Sequence, residues 1–383
     1  MPHGRSRSAS LSGWNRASDA NSRSCAICPC HLQSRPEHGM TQNQLHGRLP
    51  GVQVGRAVAA LAVFYFHTHL ALGYFDPARL HTWQFLADRG AAGVDLFFAI
   101  SGFIVCYVSS APGYTPFNFL AKRFFRIYPL NAVVTIVMVL LFSRSIGGPP
   151  HEIELERVLR SLLILPQKAP MNAVGWTLEY EVIFYLVSAI LIPLGGVRLL
   201  LLWCVAAAAI GAEIDPQPPM IARFVHGHYA NFAAGVFAYM MVSRLSPRWS
   251  FSLVLLAAAI GAYAYGLRLT PWMTPVACCL AVAGMALLPS APRPVEWLGD
   301  ISYGLYVWHW PLFMLSPWLA RWMRLDTGSG EIWRWCLLLI LVLVASASWI
   351  WFERPINRWA SGWLARRSKT AVVAGAASSD VRG

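Results

Sequence analysis

Charge is scarce in this chain. Asp, Glu, Lys and Arg make up 13% of its 383 residues, about half the ~25% carried by an ordinary soluble domain. That composition excludes disorder over most of the length and argues against a water-soluble enzyme. A disulfide framework is missing too. Of 8 cysteines, Cys106, Cys204, Cys278, Cys279 and Cys336 sit inside apolar runs, where a free thiol is a small hydrophobe. Cys25, Cys28 and Cys30 with His31 have no second half-site, and their Ser-, Arg-, Asn- and Gly-rich surroundings read as a disordered tail without metal. Residues 1–50 also lack the apolar core of a signal peptide. Acidic residues are few, 18 against 31 basic ones, for a net charge of +13. The basic residues lie between apolar blocks, not along one stripe, so they speak for orientation in a bilayer and against nucleic acid as a partner.

What is abundant is apolar: 56% of the residues are hydrophobic and the mean hydropathy is +0.47. The expected class is an all-α polytopic membrane protein. Ten candidate spans can be read at 55–73, 91–109, 127–143, 173–192, 196–212, 224–242, 250–267, 272–289, 301–320 and 333–352. Each is near the ~20 residues that cross a hydrocarbon core of about 30 Å. The domain reading is therefore a polar segment at 1–50, a membrane domain at 51–358 and a basic tail at 359–383. Alternate connections hold Lys122, Arg123, Arg126, Arg198, Arg244, Arg248 and Arg293, while the others hold Asp76, Asp88, Glu152, Glu154, Glu156, Glu213, Asp215, Asp326 and Glu331. By the positive-inside rule this predicts a bundle of about ten transmembrane helices with both termini cytoplasmic.

Ionisable groups inside such spans are costly, and so they mark functional candidates. Five stand out: Arg56 and His67 in the first span, Asp95 in the second, Glu181 in the fourth and His309 in the ninth. Arg56 and His67, eleven residues apart, share one helix face roughly 16 Å apart along the axis. The alternating topology brings His67 and Glu181 to the same depth. Polar contacts that glue helices together would explain each residue singly, but the matched depth points to a site. Arg123 and Arg126, at i and i+3, face the same way and suit a multiply phosphorylated ligand. On spacing alone, positive-inside charge and lipid headgroups account for them more simply. Glu179, two residues from Glu181, points to another face, and His226 and His228 read as loop residues at the outer interface. Gly90, Gly93, Ser101 and Gly102 form a small-residue stretch that permits close helix contact.

Six short motifs, in order, resemble the acyltransferase 3 family of integral membrane O-acyltransferases, and most its exopolysaccharide-modifying branch. They are Arg56 and His67 separated by ten residues, Gly93-Val-Asp95-Leu-Phe-Phe-Ala-Ile-Ser-Gly-Phe, Arg123-Phe-Phe-Arg126-Ile-Tyr-Pro, Gly175-Trp176-Thr-Leu-Glu-Tyr-Glu181-Val-Ile-Phe-Tyr185, Ile301-Ser-Tyr303-Gly-Leu-Tyr306-Val-Trp-His309-Trp-Pro311, and Glu353-Arg-Pro355. The likeness spans about residues 50–358; Gly55 replaces the usual Leu before Arg56, and Glu179 is no part of the usual pattern. The resemblance implies an acyl-CoA co-substrate, taken as acetyl-CoA, and a hydroxyl on a cell-surface or exported carbohydrate, free or lipid-linked, as acceptor. It implies Arg56, Arg123 and Arg126 as donor ligands, His67 as general base, Glu181 or Asp95 as its orienting carboxylate, and His309, Tyr303 and Trp176 on the acceptor or oxyanion. An acyl-histidine intermediate stays open, and the location implied is the inner (cytoplasmic) membrane. The competing reading is a proton-coupled transporter or flippase of a lipid-linked sugar, since buried His and Glu also serve proton relays; a weaker third is a glycosyltransferase with a lipid-phosphate donor.

Overall fold

A computed structural model describes residues 49–72, 83–146, 153–213, 219–267, 273–324 and 330–380. The Cys25–His31 cluster and nearly all of the polar N-terminal segment lie outside them. Among the described residues the chain is helical, with no strand. In order the helices are α1 (Pro50–Ala71), α2 (Gln84–Arg89), α3 (Ala92–Ser109), α4 (Pro116–Ser143), α5 (Leu155–Leu162), α6 (Trp176–Glu213), α7 (Pro219–Phe224), α8 (Tyr229–Val242), α9 (Ser250–Leu267), α10 (Met273–Ala286), α11 (Arg293–Asp300), α12 (Ser302–Trp322), α13 (Gly330–Ser348) and α14 (Arg354–Asp380).

Four stretches are long and apolar enough to cross a membrane by length and composition: 92–109, 116–143, 173–213 and 330–367. The polarity of the bundle is inverted relative to a soluble protein. Leu140, Ile190, Leu202, Phe251, Leu339 and Leu343 point outward, while Glu179, His309, Arg334, Asn131, Asn172 and Asn231 are buried. In lipid an apolar exterior costs nothing, and the buried amides bond within the bundle, Asn131 to the Ser161 carbonyl, Asn172 to that of Val307 and Asn231 to Asp95.

Several expected boundaries move. The third segment begins eleven residues early, at Pro116. Thr115 caps it by accepting from the Asn118 N–H at 3.2 Å, and Pro116 supplies a pre-set first turn. Arg123 and Arg126 therefore lie within a helix instead of leading into one. The fourth and fifth segments form one element, α6, broken at Gly195 and Gly196; Gly196 has φ +69, which a glycine adopts without strain. The sixth and eighth are only 14 residues long, about 21 Å of helix at 1.5 Å per residue. The expected basic tail after Arg354-Pro355 is instead helical, entered from α13 through a π-helical turn at Trp349–Glu353.

Close packing at the centre depends on the small-residue stretch in α3. A Cβ on Gly102 would lie 2.3 Å from the Phe232 carbonyl oxygen of α8, and one on Gly235 would lie 1.8 Å from that of Ala99. Only paired glycines allow this crossing. In α12, Pro311 has no N–H to give to the Val307 carbonyl four residues earlier. Asn172 Nδ2 donates to that carbonyl instead, at 3.1 Å, which ties the segment before α6 to the middle of α12.

Candidate active site

A cavity with about 90 Å³ open to water lies between α1, α3, α4, α6 and α12. Arg56, Arg123, Arg126, Glu181 and Tyr303 all line it, so five of the nine expected site residues converge. Each comes from periodicity. Arg123 and Arg126 are i, i+3 on α4; Glu181 and Tyr185 are i, i+4 on α6. Arg56 Nε donates to Ser302 Oγ at 3.1 Å. Glu181 accepts from Ser101 Oγ at 3.0 Å and from the Tyr185 hydroxyl. The Arg123 guanidinium lies over the Tyr185 ring, 5.1 Å from its centroid. Three guanidiniums and one carboxylate line the cavity, with the buried Glu353 carboxylate behind Gly304, so cations outnumber anions around it, which suits an anion.

A second cleft opens between α4 and α14. It has a volume of about 270 Å³ and shares Arg123 and Arg126 with the first, adding Lys122, Asn357 and Ser361. The sequence did not mark Asn357, the next-to-last residue of the expected membrane domain, or Ser361, which falls in the stretch read as a tail. Their i, i+4 spacing was the available signal. Ser101, Tyr185 and Ser302 were missed as well, being common residue types within apolar motifs.

The two histidines meet each other. The rings of His67 and His309 stack with centroids 5.2 Å apart and an interplanar angle of 29°. Each Nδ1 contacts a carbonyl of its own helix, His67 that of Val63 at 3.1 Å and His309 that of Tyr306 at 2.5 Å. A carbonyl only accepts, so both Nδ1 atoms carry hydrogen and each neutral ring presents a lone pair at Nε2. The His309 Nε2 is buried with no hydrogen-bond partner. The pair sits just past one end of the cavity: Tyr306, which lines it, is 5.7 Å from the His309 ring and 5.8 Å from Phe97, another lining residue.

This arrangement corrects the expected carboxylate–imidazole pair. Glu181 is engaged with Ser101 and Tyr185, and Asp95 accepts from Asn231 Nδ2 at 2.7 Å and lies 3.8 Å from His228 Nδ1. Neither touches His67. The physical reason is that the helix's own carbonyl, one turn back, already fixes the imidazole. Tyr303 gives its hydroxyl proton to the Ile127 carbonyl at 2.7 Å, so it forms wall and does not serve as an oxyanion donor. Trp176 lies away from the cavity, against His228 at 5.3 Å. Glu179 points elsewhere, as its spacing predicts: it is buried and paired with Arg223 at 2.7 Å. Beside it, in the turn before α8, His226 stacks on His228 at 4.4 Å. Burial first, then the neighbouring His228 and Arg223, push His226 down to about 4. Among the described residues no three His, Cys, Asp or Glu side chains cluster as metal ligands would.

An apolar-faced helical bundle with a cationic cavity, and a stacked imidazole pair beside its Tyr306 wall, fits a membrane protein that handles an anionic substrate. Residues 49–351 match the family model described as Acyltransferase domain, acyltransferase 3. The chain belongs to that family and is an acyltransferase. It is 30% identical over 298 residues to the exopolysaccharide production protein ExoZ of Rhizobium meliloti, covering 70% of this chain and 90% of the relative. It is 26% identical over 328 residues to the acyltransferase MdmB of Streptomyces mycarofaciens, covering 75% and 84%. It is 28% identical over 265 residues to the putative membrane-bound transacylase BcsY of Komagataeibacter xylinus, covering 60% and 68%. No solved structure matches the chain.

Proposed function

We propose that the protein moves an acetyl group from acetyl-CoA, entering from the cytoplasmic side, to a hydroxyl of an exported or cell-surface carbohydrate at the inner membrane. In this reading the chain crosses about ten times with both termini in the cytoplasm. The observation that carries the proposal is a cationic cleft and a cavity that share Arg123 and Arg126, with the stacked His67–His309 pair next to Tyr306 of the cavity wall. Lys122, Arg123, Arg126, Asn357 and Ser361 receive the anionic nucleotide end of the donor. Arg56, Arg123 and Arg126 line the path of its thioester arm, and Glu181 offsets part of their mutual repulsion.

His67 Nε2 then takes the proton of the acceptor hydroxyl as its oxygen attacks the thioester carbonyl. The C–S bond breaks, and the thiolate takes that proton back to leave as free CoA. The Val63 carbonyl does the orienting that a carboxylate does in hydrolytic triads. His309 Nε2, left unpaired in the protein, accepts a hydrogen bond from a neighbouring hydroxyl of the acceptor. The relatives named for exopolysaccharide production and membrane transacylation support a carbohydrate acceptor.

The test is purified protein with acetyl-labelled acetyl-CoA and a glycan acceptor. Label on the glycan is the expected result, and donor left intact at every acceptor concentration refutes it. In the Arg123→Gln/Arg126→Gln double variant the donor KM should rise at least tenfold. A charge-assisted hydrogen bond is worth about 1.5–3 kcal/mol, and an unchanged donor KM would return both arginines to lipid contacts.

A further inference from the structure

A groove of about 500 Å³ lies on the other side of the first turns of α6 from the cavity. Trp176 and Tyr180 face the groove, whereas Thr177 and Glu181 face the cavity. The partition between the two is thin: Phe98 lines the cavity and its ring lies 5.5 Å from that of His228, which lines the groove. One wall is aromatic: the Trp176 ring lies 5.3 Å from that of His228, tilted by 33°, and His226 stacks on His228 at 4.4 Å, so the groove meets a bank of ring faces and edges. With its proton held off, His226 adds a neutral ring to that bank.

The opposite rim is cationic. Arg157 is held in place by two backbone carbonyls, Ala169 at 2.8 Å and Pro170 at 3.4 Å, which orient its charge without cancelling it. Lys168 is exposed on the same rim. Arg223 contributes no net charge, because Glu179 neutralises it. Among the described residues no carboxylate lines the groove; Glu179 is spent on Arg223, Asp95 lies behind His228, and Glu156, next to Arg157 in sequence, pairs with Arg160. The walls therefore offer a stacking surface for a sugar ring and two uncancelled cations beside it.

We propose that this groove holds the part of the acceptor beyond the reacting sugar and that the acceptor is an anionic saccharide, its charge borne on the sugar as a carboxylate or a phosphate. The inference rests on the acyltransfer reading above and adds the substrate's charge and its place of binding. Aromatic rings take the apolar face of the pyranose, while Arg157 and Lys168 make charge-assisted contacts to the acid group.

The experiment measures equilibrium binding to the full-length protein in neutral-lipid nanodiscs. The probes are tetragalacturonate, glucose 1-phosphate, cellotetraose and inorganic phosphate, with CoA binding followed on the same samples. Tetragalacturonate or glucose 1-phosphate should bind at least tenfold tighter than cellotetraose, and which of them does so names the acid group. Lys168→Glu, at an exposed position, and Arg157→Gln should each weaken that binding at least fivefold and leave CoA binding as it was. Trp176→Ala should weaken it further. Equal binding of cellotetraose, equal binding of inorganic phosphate, or a Lys168→Glu variant that binds like the parent would overturn the proposal. Loss of CoA binding in the parent itself would instead count against the acyltransfer reading.

Discussion

Replacing His67 by Gln separates the reaction step from everything around it. His67 is half-buried in α1, and its donor Nδ1 serves only the Val63 carbonyl, so a glutamine amide keeps a polar, similarly sized group in place. Base catalysis contributes about 10²–10⁴-fold, equivalent to roughly 3–5 kcal/mol at ~1.4 kcal/mol per tenfold. His309 does not substitute, because its ring centre lies 5.2 Å away, and displacements of even ~1 Å can cost 10²-fold. A fall in kcat of at least 10² is therefore expected. The donor KM should stay as it was, since Arg56 lies eleven residues along the helix, about 16 Å away. Glu181→Gln should do the reverse, changing the donor KM more than kcat, because its carboxylate sits among the guanidiniums and not beside the imidazole. Single-turnover transfer of labelled acetyl, with melting temperature as the control for folding, reads all of these quantities. A His67→Gln protein that turns over within tenfold of the parent would refute the base assignment, and equal collapse of kcat in Glu181→Gln would restore the carboxylate–imidazole pair.

Arg223→Met leaves the Glu179 carboxylate buried without its partner, a loss of about 3–5 kcal/mol for a broken buried pair. Thermal melting should show a large drop that the Glu179→Gln/Arg223→Met double variant mostly recovers, and equal melting of both would mean that the pair is structurally idle. Gly235→Ala forces a methyl onto the Ala99 carbonyl, where 1.8 Å of separation is available; overpacking of this kind costs roughly 1–3 kcal/mol, and an unshifted melting curve would show that α3 and α8 part freely. The His226 proton affinity sits at about 4 instead of 6.5, so between those values the unfolded chain binds a proton that the folded turn refuses. Stability should be full above pH 6.5 and fall as pH drops through that window. His226→Asn should flatten this limb in acid-denaturation curves, and an identical limb in the variant would assign it to other groups.

Buried charge made Arg56, His67, Asp95, Glu181 and His309 conspicuous in the sequence, and the i, i+3 spacing of Arg123 and Arg126 put them on one face; the small residues of α3 mark a close crossing. That Glu181 joins the three arginines in one cavity runs against its expected depth beside His67. Which group touches which was not legible. Depth matched His67 to Glu181, but the chain before α6 already lies inside the bundle, with Asn172 bonded to Val307 in the middle of α12, so Glu181 falls beside Arg56 and His67 meets His309 instead. Asn357 and Ser361 were hidden for a different reason. Past Arg354-Pro355 hydropathy falls, and a falling hydropathy looks the same whether the chain frays or, as here, continues as a helix against α4.

Composition and periodicity by themselves determined that this chain is an apolar helical bundle with a few titratable groups inside it. Burial free energy depends on residue type and spacing, both written in one dimension. Only the tertiary structure decided that two imidazoles face each other with backbone carbonyls behind them, and that Trp176 turns away from the cavity. It also set two cation-lined chambers back to back across the start of α6. Those facts depend on azimuth and on helix–helix packing, where contributions of about a kcal/mol from particular neighbours choose among orientations that the hydrophobic pattern leaves equal.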